Sequence, residues 1–226
     1  MRGVVLVAAA VFAVIAAEPA GATNECHGLQ VCVPIAGPWV LASGGDEVQF
    51  QLACPKRYVV AGLDAELSTR ALEVGFRGAL GAPVNPGITT STSAVFLGRL
   101  VRGSDPAASF RPHIGCVPAA GGGQRVPTAF QAYPPAKPTA PQMTQIAVHA
   151  GSRNYVETCP AGQQLANASH AIAFYTDAPP TAKLAASVHV TQTVRSGRVH
   201  LAVRAGRIVQ GVRAVVQVDL LCVGRA

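Results

Sequence analysis

Cys54 and Cys159 are each followed by proline, and each is answered by a second cysteine, Cys116 and Cys222, 62 and 63 residues further on. The opening cysteines lie 105 residues apart, and Phe50 and Tyr155 precede them at the same offset. Between the cysteines of both stretches, apolar and polar residues alternate. This pattern predicts a duplicated β unit whose first core strand is tied to its last. Six cysteines allow 15 pairings, and the echo selects one: Cys54–Cys116 and Cys159–Cys222 within the copies, with Cys26–Cys32 as a small local loop. Closing a loop of about 60 residues stabilises a fold by roughly 4 kcal/mol in the chain-entropy model. A zinc site at Cys26, His27 and Cys32 would lack a spaced fourth ligand, so neither metal nor cofactor is expected.

Disulfides need an oxidising compartment, and the N-terminus points to one. Arg2 precedes an apolar run from Val4 to Ala17, and Ala20-Gly21-Ala22 offers a small-x-small cleavage site. Residues 1–22 read as a secretory signal peptide, too short to span a bilayer. The expected organisation is then a cysteine-loop segment at 23–37, a first β repeat at 38–117, a Pro/Gly linker at 118–142 and a second β repeat at 143–226. Units of this size bury a limited core and gain from covalent staples. The formal charge of +7 is unevenly placed. Residues 38–117 carry seven bases and six acids, whereas 143–226 carry eight bases and three acids. A basic second copy suits acidic partners.

Strands are legible from the period of two. Val48, Phe50 and Leu52 alternate with Gln49, Gln51 and Ala53; Leu72, Val74 and Phe76 alternate with Glu73, Gly75 and Arg77. Tyr58 to Leu63, Ala94 to Val101 and Phe110 to Cys116 complete five strands in the first copy, with the turn-rich 81–87 between. The second copy offers Ile146 to Val148, Asn154 to Thr158, Ala171 to Tyr175, and a last strand through Val216, Val218 and Leu220. The fold class is all-β: two disulfide-stapled antiparallel units, each a sandwich or small barrel, set apart as beads or packed as one pseudo-symmetric domain. Trp39, flanked by proline and glycine, is expected to lie on the first core.

Leu184 to Val194 and Val199 to Arg204 form a hairpin around Ser196-Gly197. A two-residue turn there puts Arg195 opposite Arg198, Thr193 opposite His200 and His189 opposite Arg204. Val188, Val190, Val194, Val199, Leu201 and Val203 then share the buried face. The other face shows His189, Arg195, Arg198, His200 and Arg204. Like charges opposite each other cost stability, and arginine forks hold phosphate or carboxylate, so this face is the candidate binding surface. Nucleic acid is disfavoured because interleaved aromatics for base stacking are missing.

The openings "CPAGQQL" at Cys159 and "CPKRYVVAGL" at Cys54, each closed by a distant cysteine, resemble small β modules of secreted actinobacterial proteins that begin with a CPAG-like turn. The first copy departs from that turn with Lys56-Arg57. The resemblance implies an extracytoplasmic β module and no activity.

Signatures of zinc proteases, nucleophile elbows, phosphate loops and dithiol redox sites are missing from the sequence. The catalytic candidates are Asp64 and Glu66, whose i, i+2 spacing on a strand aims both carboxylates to one face, with Arg70, Arg77 and His113 on neighbouring strands and the Asn85 loop at their border. Unequal environments could split such a pair into acid and base. Ser169 and Ala171 stand at the matching positions of the second copy, so any such site belongs to the first alone. Three functions follow: a secreted, non-catalytic envelope or extracellular module whose basic second repeat contacts an acidic polymer or protein partner, a secreted hydrolase using Asp64 and Glu66, or a purely structural surface protein or domain partner with no ligand.

Overall fold

The computed structural model describes residues 24–29, 31–42, 46–78, 92–103, 105–119 and 139–224. The expected signal peptide at 1–22, the turn-rich 81–87 and most of the expected linker lie outside them. The described chain is all-β. Its strands are β1 (Val33–Ala36), β2 (Trp39–Leu41), β3 (Val48–Ala53), β4 (Tyr58–Leu67), β5 (Leu72–Gly78), β6 (Ser93–Leu100), β7 (Ser109–Pro118), β8 (Thr139–Ala147), β9 (Gly151–Thr158) and β10 (Gln163–Tyr175). A single helical turn, α1 (Ala182–Ala185), precedes β11 (Val188–Arg195), β12 (Arg198–Ala205) and β13 (Arg213–Gly224).

Three antiparallel sheets result. The largest runs β4, β7, then β1 and β2 end to end, then β10, β13 and β8. β3-β6-β5 and β11-β12-β9 form two three-stranded sheets. Residues paired across strands share a face, so register decides which face each small sheet covers. Phe110, Val40, Ala173 and Val215 stand in one row. All four are buried in a cluster with Phe50 and Phe96 of β3 and β6. The alternate residues Leu41, Phe174 and Ala214 point the other way, into a cluster with Val188, Val199 and Leu201. The small sheets therefore cover opposite faces of the large one. Each half is a sandwich, and β2 of the N-terminal half is hydrogen-bonded to β10 of the C-terminal half.

The halves share more than strand order. β4 has a bulge between Val60 and Gly62, β10 one between Leu165 and Asn167, and these too are 105 residues apart. Disulfides join Cys54–Cys116, Cys159–Cys222 and Cys26–Cys32. In the first two, the cysteine just before β4 or β10 meets the buried cysteine of the last strand, so each bridge runs from the edge of a half into its core.

Four expectations change. Leu184 and Ala185 belong to α1 and the strand begins only at Val188. Pro179-Pro180 interrupt the extended pattern, and the Thr181 hydroxyl accepts the Leu184 amide, so a capped turn forms instead. Val194 is 54% exposed because the hairpin tip overhangs the core. β8 begins at Thr139, inside the expected linker, pairing with β13 from Val223 onward; Pro141 is tolerated there because an edge strand leaves one side unbonded. Trp39 is buried, but it pairs with Phe174 and shares the face of Leu41, on the side of the second core.

Candidate functional site: a basic sheet face and a covered acid–histidine cluster

The β11–β12 hairpin has the register that its turn chemistry demands. Ser196 and Gly197 both have positive φ, 49° and 72°, the conformation whose twist suits a two-residue hairpin. Arg195 faces Arg198, Thr193 faces His200, and His189 faces Arg204. β9 adds a third column on the far side of β12. The outward rows read His189–Arg204–Ser152, Thr191–Ala202–Asn154, Thr193–His200–Val156 and Arg195–Arg198–Thr158. These rows hold three arginines, two histidines and no acid. Glu157 of β9 lies on the opposite face, where the Thr144 hydroxyl donates to it. At a rise of about 3.4 Å per residue, the two basic ends lie roughly 20 Å apart along the strands. All five candidate binding residues share this face. The β9 column was missed because its polar residues Ser152 and Asn154 carry no charge to single them out.

The catalytic candidates also come together, under a cover. Gly62, Asp64 and Glu66 of β4 stand opposite Gly115, His113 and Arg111 of β7. The Cys26–Cys32 loop lies across this face, with the Glu25 backbone against both glycines. A β-carbon on Gly62 would fall 1.7 Å from the Glu25 carbonyl oxygen, and one on Gly115 2.1 Å from it. Glu25 is thereby buried to 5% exposure beside the equally buried His113. His113 Nδ1 lies 3.6 Å from Glu25 Oε1, and Nε2 3.3 Å from Glu66 Oε1. Arg111 Nη1 stands 3.9 Å from Glu66 Oε2, while its Nε donates to the Gly37 carbonyl. Both Asp64 oxygens accept backbone amides, Oδ2 from Asn24 at 2.7 Å and Oδ1 from Ala65 at 2.8 Å.

That arrangement holds chain to chain more readily than it holds a substrate. Each Asp64 oxygen already accepts a backbone amide, and His113 is walled in by two carboxylates and a disulfide loop. The guanidinium at Glu66 is that of Arg111, which the sequence did not single out. Glu25 was not singled out, because a lone acid before a cysteine gives no sign of which strand its loop will cover. Among the described residues no group of three or more His, Cys, Asp or Glu could hold a metal ion, and Cys26 and Cys32 are bonded to each other.

Fold and site together define a disulfide-stapled all-β protein with one strongly basic sheet face. No protein-family model matches the sequence, and no curated protein matches it. No helix among the described residues is long and apolar enough to cross a membrane.

Proposed function

We propose that this protein is a secreted, non-catalytic module of the bacterial envelope or exterior, built from a duplicated β unit, whose C-terminal half holds an acidic polymer. The observation that carries this reading is the acid-free outer face of β9, β11 and β12. Arg195 and Arg198 sit at one end of it and His189 and Arg204 at the other, with His200 between. Two arginines set opposite each other repel, and a phosphate or carboxylate between them turns that cost into paired, charge-assisted hydrogen bonds. A linear polyanion along the strands would meet both basic ends at once. Three disulfides and the signal-like N-terminus support an extracytoplasmic setting. The hydrolase alternative has less support, because Asp64 and His113 are engaged in holding the Cys26–Cys32 loop.

Retention of the purified mature protein on isolated bacterial cell wall and on immobilised polyphosphate, titrated with salt, tests the reading. Binding should be tight at low salt and collapse as the Debye length shortens to about 10 Å near 0.1 M. The triple variant Arg195→Ala, Arg198→Ala, Arg204→Ala should bind at least tenfold more weakly while melting as the wild type does. A triple variant retained like the wild type would refute the assignment of this face, and no retention at low salt would remove the polymer.

A further inference from the structure

A trough of about 370 Å³ lies where the halves meet, beneath α1 and the edge strand β11. Its walls are apolar: Leu41, Val48 and Pro106 come from the N-terminal half, and Ile172 and Val188 from the C-terminal half. His170 and His189 are the polar residues in them. A second hollow of about 400 Å³ continues past His189, which lines both, to Ser187 and Arg204. Among the described residues neither wall contains an acid. The trough is of the size that takes a small ligand, and such sites favour boundaries between packed units; the second hollow is shallow and open to solvent.

Chemistry is graded along the groove. Its inner end offers hydrocarbon walls. Gln192 Nε2 donates to the Ala168 carbonyl, so its Oε1 remains to accept from His170 Nδ1 at 2.9 Å. That fixes the proton of neutral His170 on Nδ1. At the outer end, His189 and Arg204 face each other across β11 and β12, a guanidinium fork and an imidazole at the mouth of an apolar trough. Arginine forks suit phosphate or carboxylate.

We infer that the groove binds a single anionic amphiphile, its alkyl chain in the trough between the halves and its phosphate or carboxylate head at His189 and Arg204. This site shares Arg204 and His189 with the polymer face but does not depend on Arg195 or Arg198. It gives the boundary between the halves a ligand rather than packing alone.

Dodecyl phosphate, titrated as a monomer below its micelle concentration into the full mature protein, is the probe. It should bind measurably where inorganic phosphate at the same concentration does not. Decyl phosphate should bind about fivefold more weakly, as two partly buried methylenes require. Ala186→Trp, an exposed α-region position on the trough wall, should abolish binding with the fold intact. His189→Ala with Arg204→Ala should weaken it about tenfold, and Lys56→Ala on the other half should leave it unchanged. Dodecyl phosphate that binds no better than inorganic phosphate, or that ignores Ala186→Trp, overturns the inference. Retention on anionic phospholipid vesicles without monomer binding overturns it too. Polymer retention is read as well by the double variant Arg195→Ala, Arg198→Ala, which leaves the groove residues in place, so the two proposals fail separately.

Discussion

Asp219 on β13 and His113 on β7 each stand three residues before the bridged cysteine of the last strand. In the N-terminal half the histidine lies between two carboxylates. In the C-terminal half the carboxylate has Oδ2 buried without a hydrogen-bond partner, and burial pushes its pKa from 3.8 up to about 6. The folded chain therefore keeps a proton that the unfolded chain has released, and stability falls as pH rises from about 4 to about 6. Above that range the ionised group is a continuing cost. Asp219→Asn should raise unfolding stability at pH 7.5 by about 1–2 kcal/mol, allowing for the group's partial solvation, and have little effect at pH 3.5. Urea melts at the two pH values check this, and an equal effect at both would refute it. The raised pKa could not be read from the sequence: an aspartate in an alternating strand looks solvent-facing, and only the packed sheet dehydrates it.

Among the elements, the hairpin and the cysteine loop make opposite cases. Alternation and Ser196-Gly197 between two valine-rich runs sufficed to set the β11–β12 register, because a two-residue turn leaves the pairing no freedom. The Cys26–Cys32 loop has no such signal. Its seat depends on Gly62 and Gly115 being opposite each other, which follows from the bulge at residues 60–62 and not from either strand's own pattern. Gly62→Ala should lift the loop, at a cost of about 1–3 kcal/mol for the overpacked contact, and open His113 to solvent. Loss of thermal stability, together with new reactivity of His113 toward diethyl pyrocarbonate, reports both effects. A variant as stable and unreactive as the wild type would mean that the loop does not rest on those glycines.

At the scale of the whole molecule, a short strand pairing, a shared core and a buried side chain join the halves among the described residues. Gln217 is fully buried, and its amide bonds both sides of the Gln51 backbone, donating to the carbonyl at 3.0 Å and accepting the N–H. β3 is an edge strand, so Gln217 takes the place of a strand neighbour across the join. Ala171, Ala173 and Val215 of the C-terminal half complete the core of the N-terminal one. Heating should accordingly give a single transition rather than two. Gln217→Leu should lower stability by about 2 kcal/mol or more, since two buried backbone groups lose their partner. Two resolved transitions in the wild type by calorimetry would show that the halves stand alone.

Local pattern determined a good part of this protein. Alternation gave the strand class and most strand positions, the Cys-Pro echo gave the bridge pairing, and the turn residues gave the hairpin whose basic face carries the functional proposal. A period of two and a two-residue loop are short-range properties, and the cysteine offset, though long, is likewise printed along the chain. Only the tertiary structure decided that the small sheets cover opposite faces of the large one, that Trp39 faces the second core, that Glu25 closes over His113, and that an apolar groove opens between the halves. Each depends on which strands become neighbours. Strand alternation is the same whichever partner a strand takes, so that choice is made by burial and register across more than a hundred residues.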